Sequence, residues 1–260
     1  MWFLAISLPL LPVIIVTVTR YWDELGALYQ HLLRVTPKLS WQSPVCVRST
    51  HSFVFTNCTH GQAESVLETF HLYAQTHPSL SLGPQRGELL DAVVRRVAPS
   101  WTLELGTHCG YASVRILRLL PPTGRLVTVE NDVTTAEAGE EVILVAGFKH
   151  SQFQLMTCPS KDAIPGLRAH VGQGLLQLVL MDHEVGQYLA DLLALEQEGL
   201  MAPDCVLLFN NTQLPAARSL LQHVDSKPER YTVRRELHGL LELQRHLLDT
   251  PAPQGRSLSE

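Results

Sequence analysis

Between residues 100 and 224 the chain alternates short, almost wholly apolar runs with amphipathic ones, and this alternation restricts its fold more than any other feature. Residues 100–105 (SWTLEL), 125–130 (RLVTVE), 152–156, 175–181 (LLQLVLM) and 205–209 (CVLLF) have strand length, and residues 175–181 have the apolar character of a strand buried on both faces. Between them, residues 112–120, 136–146, 162–170, 188–199 and 216–224 carry helical patterns. Strands buried on both faces need helices on both sides. The pattern therefore predicts an α/β fold with a doubly wound, mostly parallel sheet. Two more helical patterns precede it, one from residue 61 (Val66, Leu67, Phe70, Leu72) and one over residues 87–97. Residues 36–59 contain Pro37 and Pro44, lack periodicity and read as a linker. The tail from residue 250 (TPAPQGRSLSE) reads as disordered.

The N-terminus has a different character. Residues 1–19 (MWFLAISLPLLPVIIVTVT) hold no charged side chain, and Arg20 follows at once. A spanning helix takes about 20 apolar residues, so an uncleaved membrane anchor is expected here. A cleaved signal would place basic residues ahead of the run, whereas Arg20, Arg34 and Lys38 come after it. Residues 20–59 then form a juxtamembrane helix and linker, and residues 60–249 the folded domain. The positive-inside bias puts that domain on the cytoplasmic side of an endoplasmic-reticulum or secretory-pathway membrane. Five cysteines without metal-like spacing suit a reducing compartment. The net charge of −5 argues against a nucleic-acid partner.

In a doubly wound sheet, ligands collect beyond the carboxyl ends of the strands, where the strand order reverses. The first strand ends in Glu104-Leu105-Gly106-Thr107-His108-Cys109-Gly110, a tight turn in which two glycines let backbone approach a ligand. The second ends in Glu130, at the distance of about 20 residues that suits an acid holding ribose hydroxyls. The glycine pattern is not the G-x-G-x-x-G of dinucleotide sites, so S-adenosylmethionine is the better adenosine-bearing candidate and a dinucleotide oxidoreductase is disfavoured.

Four segments make the reading specific: residues 103–111 (LELGTHCGY), 127–130 (VTVE), 162–165 (DAIP) and 180–183 (LMDH). In order and spacing they resemble the catechol O-methyltransferase family, over about residues 60–215. The apolar N-terminus, Gly83-Pro84 before Arg86-Gly87, and Ala146-Gly147-Phe148 are most similar to its transmembrane branch. The resemblance implies methyl transfer from S-adenosylmethionine to a catechol hydroxyl. It implies a cofactor held by Leu82, Glu104, Gly106, Thr107, Tyr111, Ala112, Glu130, Ser160 and Asp182, with Leu80 beside Leu82. Ala112 stands where the family has a serine on the cofactor carboxylate.

The family's magnesium site carries over less well. Its two aspartates and asparagine correspond to Asp182, Asn210 and Asn211, so one carboxylate has become a neutral amide and magnesium binding should weaken. The family's lysine base falls on Val185, which cannot accept a proton. The lysines of the chain are Lys38, Lys149, Lys161 and Lys227, none near Asp182 in sequence. His183 and Glu184 are the candidate substitutes, with His108 behind them, and Glu242 is the nearest candidate for a carboxylate flanking the catechol. Restoring Asn210→Asp with Val185→Lys is then expected to raise activity. The alternative implied by the transmembrane branch is an anchored protein of eroded chemistry whose partner is a membrane channel protein, since that branch is linked with transport of mechanotransduction channel subunits in hearing.

Overall fold

A computed structural model describes residues 44–77 and 82–246. The anchor expected over residues 1–19, the juxtamembrane helix, Leu80 and the tail from residue 250 lie outside the described residues. Among the described residues, no helix is long and apolar enough to cross a membrane.

Three helices open the described part: α1 (Pro44–Asn57), α2 (Ala63–Ala74) and α3 (Gly83–Val97). The first corrects the linker reading. Its sequence is rich in β-branched residues and only weakly patterned, which hid it. Yet Val47, Thr50 and Val54 fall on one helical face and are buried. Tertiary packing overrides weak local propensity here.

The strand–helix alternation then runs β1 (Trp101–Leu105), α4 (Tyr111–Leu117), β2 (Arg125–Glu130), α5 (Val133–Val145) and β3 (Phe153–Thr157). The expected third helix is two short ones, α6 (Ser160–Gly166) and α7 (Arg168–Val171), because Pro165 and Gly166 interrupt the run. After them come β4 (Leu176–Met181), α8 (Tyr188–Gln197), β5 (Met201–Phe209) and α9 (Arg218–Asp225). A hairpin of β6 (Tyr231–Leu237) and β7 (Leu240–Arg245) follows, which the sequence reading did not assign. Its turn residues His238 and Gly239 both have positive φ, as a two-residue hairpin turn requires. Arg234, Arg235 and Glu236 make β6 read as loop, but they are charges on an exposed edge, which keep that edge from pairing with other chains.

Among the described residues the sheet has seven strands in the order β3-β2-β1-β4-β5-β7-β6. β1 to β5 are mutually parallel, and β7 runs antiparallel to both its neighbours. Successive strand residues face opposite layers. Leu178 and Leu180 pack with α1 to α5 on one side, whereas Val179 and Met181 pack with α6 to α9 on the other. The order reverses between β1 and β4. At that point the backbone N–H of Asp182 donates to Leu105 O and that of Asn210 to Met181 O. The ends of β1, β4 and β5 thus stand side by side.

Candidate functional site

The turn after β1 is held by a carboxylate that water cannot reach. Glu104 is fully buried, and its Oε2 accepts from Ser113 Oγ at 2.5 Å and Thr128 Oγ1 at 2.7 Å. Among the described residues its Oε1 has no partner, and burial pushes the carboxyl up to about 7. A buried orphan acceptor is costly, and it is what a positively charged ligand group would satisfy. Gly106 adopts φ 99°, and a Cβ there would lie 2.5 Å from the Asp182 carbonyl oxygen. No other residue allows β1 and β4 to close so tightly.

His108 continues the turn at φ 47° and places Nε2 2.5 Å from Asp182 O. A carbonyl only accepts, so Nε2 carries the proton. The His108 backbone N–H donates to Glu130 Oε2 at 3.0 Å, and Asn131 N–H donates to Glu130 Oε1 at 2.9 Å. Glu130 is thereby fixed at the end of β2, beside the turn.

Leu82, Gly106, Thr107, Tyr111, Ala112 and Asp182 line one cavity together, joined by Thr50 of α1 and Phe70 of α2. The Tyr111 hydroxyl is engaged elsewhere, receiving Arg115 Nη1 at 2.6 Å and donating to Gly83 O at 3.3 Å, so only its ring faces inward. The cavity holds about 10 Å³ of open space, room for about one water. Ser160, the first residue of α6, is half-buried and is not among the residues lining this cavity.

The residues read as metal ligands form a different device. Asn210 Nδ2 donates to Asp182 Oδ1 at 2.6 Å, while Asn210 Oδ1 accepts from Arg86 Nη1 at 2.6 Å. The same Nη1 donates to Asn211 Oδ1 at 3.2 Å, and Arg86 Nε donates to Leu82 O at 2.7 Å. Only a side chain with both an acceptor and a donor links a guanidinium to a carboxylate, and an amide is such a side chain. Burial pushes the Asp182 carboxyl up; the charge of His108, the Asn210 amide and the charge of Arg86 oppose this. Magnesium needs several hard oxygens free to surround it. Here one oxygen of Asp182 and the amide oxygens of Asn210 and Asn211 are taken by an amide and a guanidinium, so these residues in this arrangement do not fit the ion. Among the described residues, no group of three His, Cys, Asp or Glu side chains converges as a metal site would need.

Beyond this chain opens a cleft of about 390 Å³, lined by Leu82 to Arg86, Asn211, Gln213 and His238. The Asp182–Asn210–Arg86 chain therefore divides the two spaces. Asp182 faces the first cavity and Arg86 the second.

His183 and Glu184 line neither space. His183 Nε2 is held 2.6 Å from Asp191 Oδ2 on α8, with its ring 5.1 Å from that of Tyr188. Glu184 is exposed and precedes a single 3₁₀ turn, Val185–Gln187. Val185 itself is 8% exposed and packs in the core with Tyr188 and Leu192. Glu242 is buried on β7 and accepts from Arg96 Nη2 at 2.7 Å. Arg96 and Arg86 lie about 15 Å apart along α3 at the helical rise per residue, so Glu242 faces the far end of that helix.

Sequence reasoning missed Arg86, Thr50, Gln213 and His238. Arg86 was visible as one residue of a matching segment, but nothing local said that α3 would aim it at the end of β5. Thr50 and His238 belong to elements that were themselves unread.

Residues 60–227 match the O-methyltransferase family. The transmembrane O-methyltransferase homolog of Rattus norvegicus is 34% identical over 223 residues, covering 85% of this chain and 86% of the relative. The catechol O-methyltransferase of Mus musculus is 36% identical over 165 residues, covering 63% and 62% respectively. In fold, the chain is similar to an O-methyltransferase from Bacillus cereus solved in complex with S-adenosylhomocysteine (TM-score 0.59, 17% identity, 84% of this chain and 97% of that one). It is similar also to TomG of Streptomyces achromogenes, involved in tomaymycin synthesis and solved with S-adenosylmethionine (TM-score 0.58, 22% identity, 77% and 96%).

Proposed function

The chain belongs to the O-methyltransferase family, and from that premise we propose that it transfers a methyl group from S-adenosylmethionine to a hydroxyl of a catechol-type small molecule. One observation carries the reading. Glu104, fully buried with an unpartnered oxygen, stands behind the turn where Gly106 meets the Asp182 carbonyl. That is a cradle for a cationic group beside an adenosine.

S-adenosylmethionine held there would supply a methyl group on a sulfonium sulfur; the acceptor oxygen would gain it as the C–S electron pair returned to sulfur, and the hydroxyl proton would pass to water. Glu104 and Asp182 would hold the cofactor's ammonium, Glu130 its ribose hydroxyls, and Leu82, Thr107, Tyr111 and Ala112 its flanks, with Ser160 toward the adenine. In-line transfer depends chiefly on positioning, which suits a site that has no lysine base at Val185. Neither His183, tied to Asp191, nor exposed Glu184 is assigned the base. The proton instead leaves to solvent, through the open cleft.

The test is calorimetry of the full chain with S-adenosylmethionine, followed by a methyl-transfer assay on dopamine. Binding with transfer supports the reading, and failure to bind the cofactor sinks it. A second reading, an anchored trafficking partner for channel subunits, draws support from the near-closed cofactor cavity and from Val185; cofactor binding without transfer to any catechol would favour it.

A further inference from the structure

We propose that Arg86 is a built-in cation that receives the acceptor's oxygen, in the place where the family would put a divalent metal. This inference rests on the methyl-transfer reading above.

Three observations carry it. The oxygens of Asn210 and Asn211 both accept from Arg86 Nη1, at 2.6 and 3.2 Å. Arg86 Nε is held by Leu82 O at 2.7 Å, which sets the plane of the guanidinium. Among the described residues, Nη2 has no acceptor, and Arg86 lines the 390 Å³ cleft. Two N–H donors of a permanent cation are thus left for an incoming oxygen.

The charges are consistent. A divalent ion between two aspartates and an asparagine leaves no net charge. One guanidinium beside Asp182, with both neighbours neutral amides, leaves none either. Replacing a carboxylate at position 210 by an amide is therefore the compensation that exchanging a divalent for a monovalent cation requires. The amide adds the link that a carboxylate could not, since its Nδ2 donates to Asp182. The other titratable group lining the cleft is His238, on the β6–β7 turn.

A guanidinium takes no proton from the acceptor. It lowers the energy of the oxygen's anionic form, so the hydroxyl ionises to water more readily and attacks as the oxyanion. Its planar pair of N–H groups also matches two neighbouring oxygens of one catechol ring.

The test uses the full chain loaded with S-adenosylhomocysteine, and loading by calorimetry is checked first; no loading refutes the methyl-transfer reading instead. Manganese(II) serves as the metal probe, followed by the electron-paramagnetic signal of the free ion. The expected result is no binding below millimolar concentrations, and micromolar binding by wild-type protein overturns the proposal. The chelator-treated protein is then mixed with 4-nitrocatechol, whose ionisation is visible in its absorption spectrum. Wild type should lower the bound ligand's ionisation pH, and Arg86→Met, compared at full loading with S-adenosylhomocysteine, should abolish that shift and weaken binding about 100-fold. Arg86→Lys, which keeps the charge but not the fork, should restore part of the shift. An equal shift in wild type and Arg86→Met, or no binding of the probe by loaded wild type, overturns the assignment without reference to any variant's folding.

Discussion

The two sides of the Asp182–Asn210–Arg86 chain are built on different plans. On the side proposed for the cofactor, Glu104, Gly106, His108 and Glu130 lie within one β-α-β unit, and Thr50, Phe70, Leu82 and Asp182 complete the cavity from other elements. The acceptor side draws Arg86 from the start of α3, Asn211 from the end of β5 and His238 from the terminal hairpin. The first carries the carboxylates of Glu104 and Glu130, whereas on the second a guanidinium takes the oxygens of two amides. A single turn fixes much of the first set of residues, whereas the second set exists only once three separate elements meet.

Four changes break or sharpen this contrast. The largest effect is expected from Gly106→Val. Its side chain would meet Asp182 O in a backbone conformation that resists valine, so cofactor affinity should fall about 100-fold and stability by about 3 kcal/mol. Calorimetry and thermal melting read both, and retained affinity would show that the strands can separate there. Next comes Asn210→Asp with Val185→Lys, a change that the family pattern alone would favour. Val185 is core, and an ammonium there costs about 3–5 kcal/mol. Asn210→Asp also removes the donor to Asp182. The double variant should melt lower and gain no turnover while Arg86 is present, and a gain would count against a guanidinium-based site.

The third change is Glu104→Gln. Glu104 ionises near 7 in the fold against 4.5 for the ordinary side chain, so the native state keeps its proton longer than the unfolded one. Its contribution is complete below about 4.5 and is lost as pH rises to about 7, roughly 3 kcal/mol in all. Denaturant titrations from pH 4 to 8 should show that decline in wild type and not in the variant. The cofactor's ammonium would pull the same carboxyl down, so wild type should release a proton on binding near pH 6.5, and the variant should bind about tenfold more weakly. The smallest effect belongs to His238→Ala on the cleft rim. The KM for a catechol should rise a few-fold, about 1 kcal/mol, with cofactor affinity unchanged; a change in cofactor affinity would join two sides that the contrast separates.

Much of this was legible residue by residue. The parallel sheet follows from apolar runs such as residues 175–181, because burial on both faces leaves no other arrangement. The turn proposed for the cofactor was readable as a turn because Glu104, Gly106 and Glu130 stand at strand ends. The hairpin of β6 and β7 was not, since an edge strand needs charge on its exposed side and so imitates a loop. α1 was hidden for the opposite reason: its helical state rests on packing with α2 and α5 rather than on its own residues.

What the sequence by itself determined is the layered α/β architecture, the glycine turn after β1 and the absence of a lysine at position 185. These follow from periodicity, steric freedom at glycine and side-chain chemistry, all of which are local. Only the tertiary structure decided that His183 pairs with Asp191, that Glu242 faces Arg96, and that Arg86 holds both asparagines. Hydrogen bonds between residues 124 and 125 positions apart depend on where two elements end up in space, and no spacing rule along the chain encodes that.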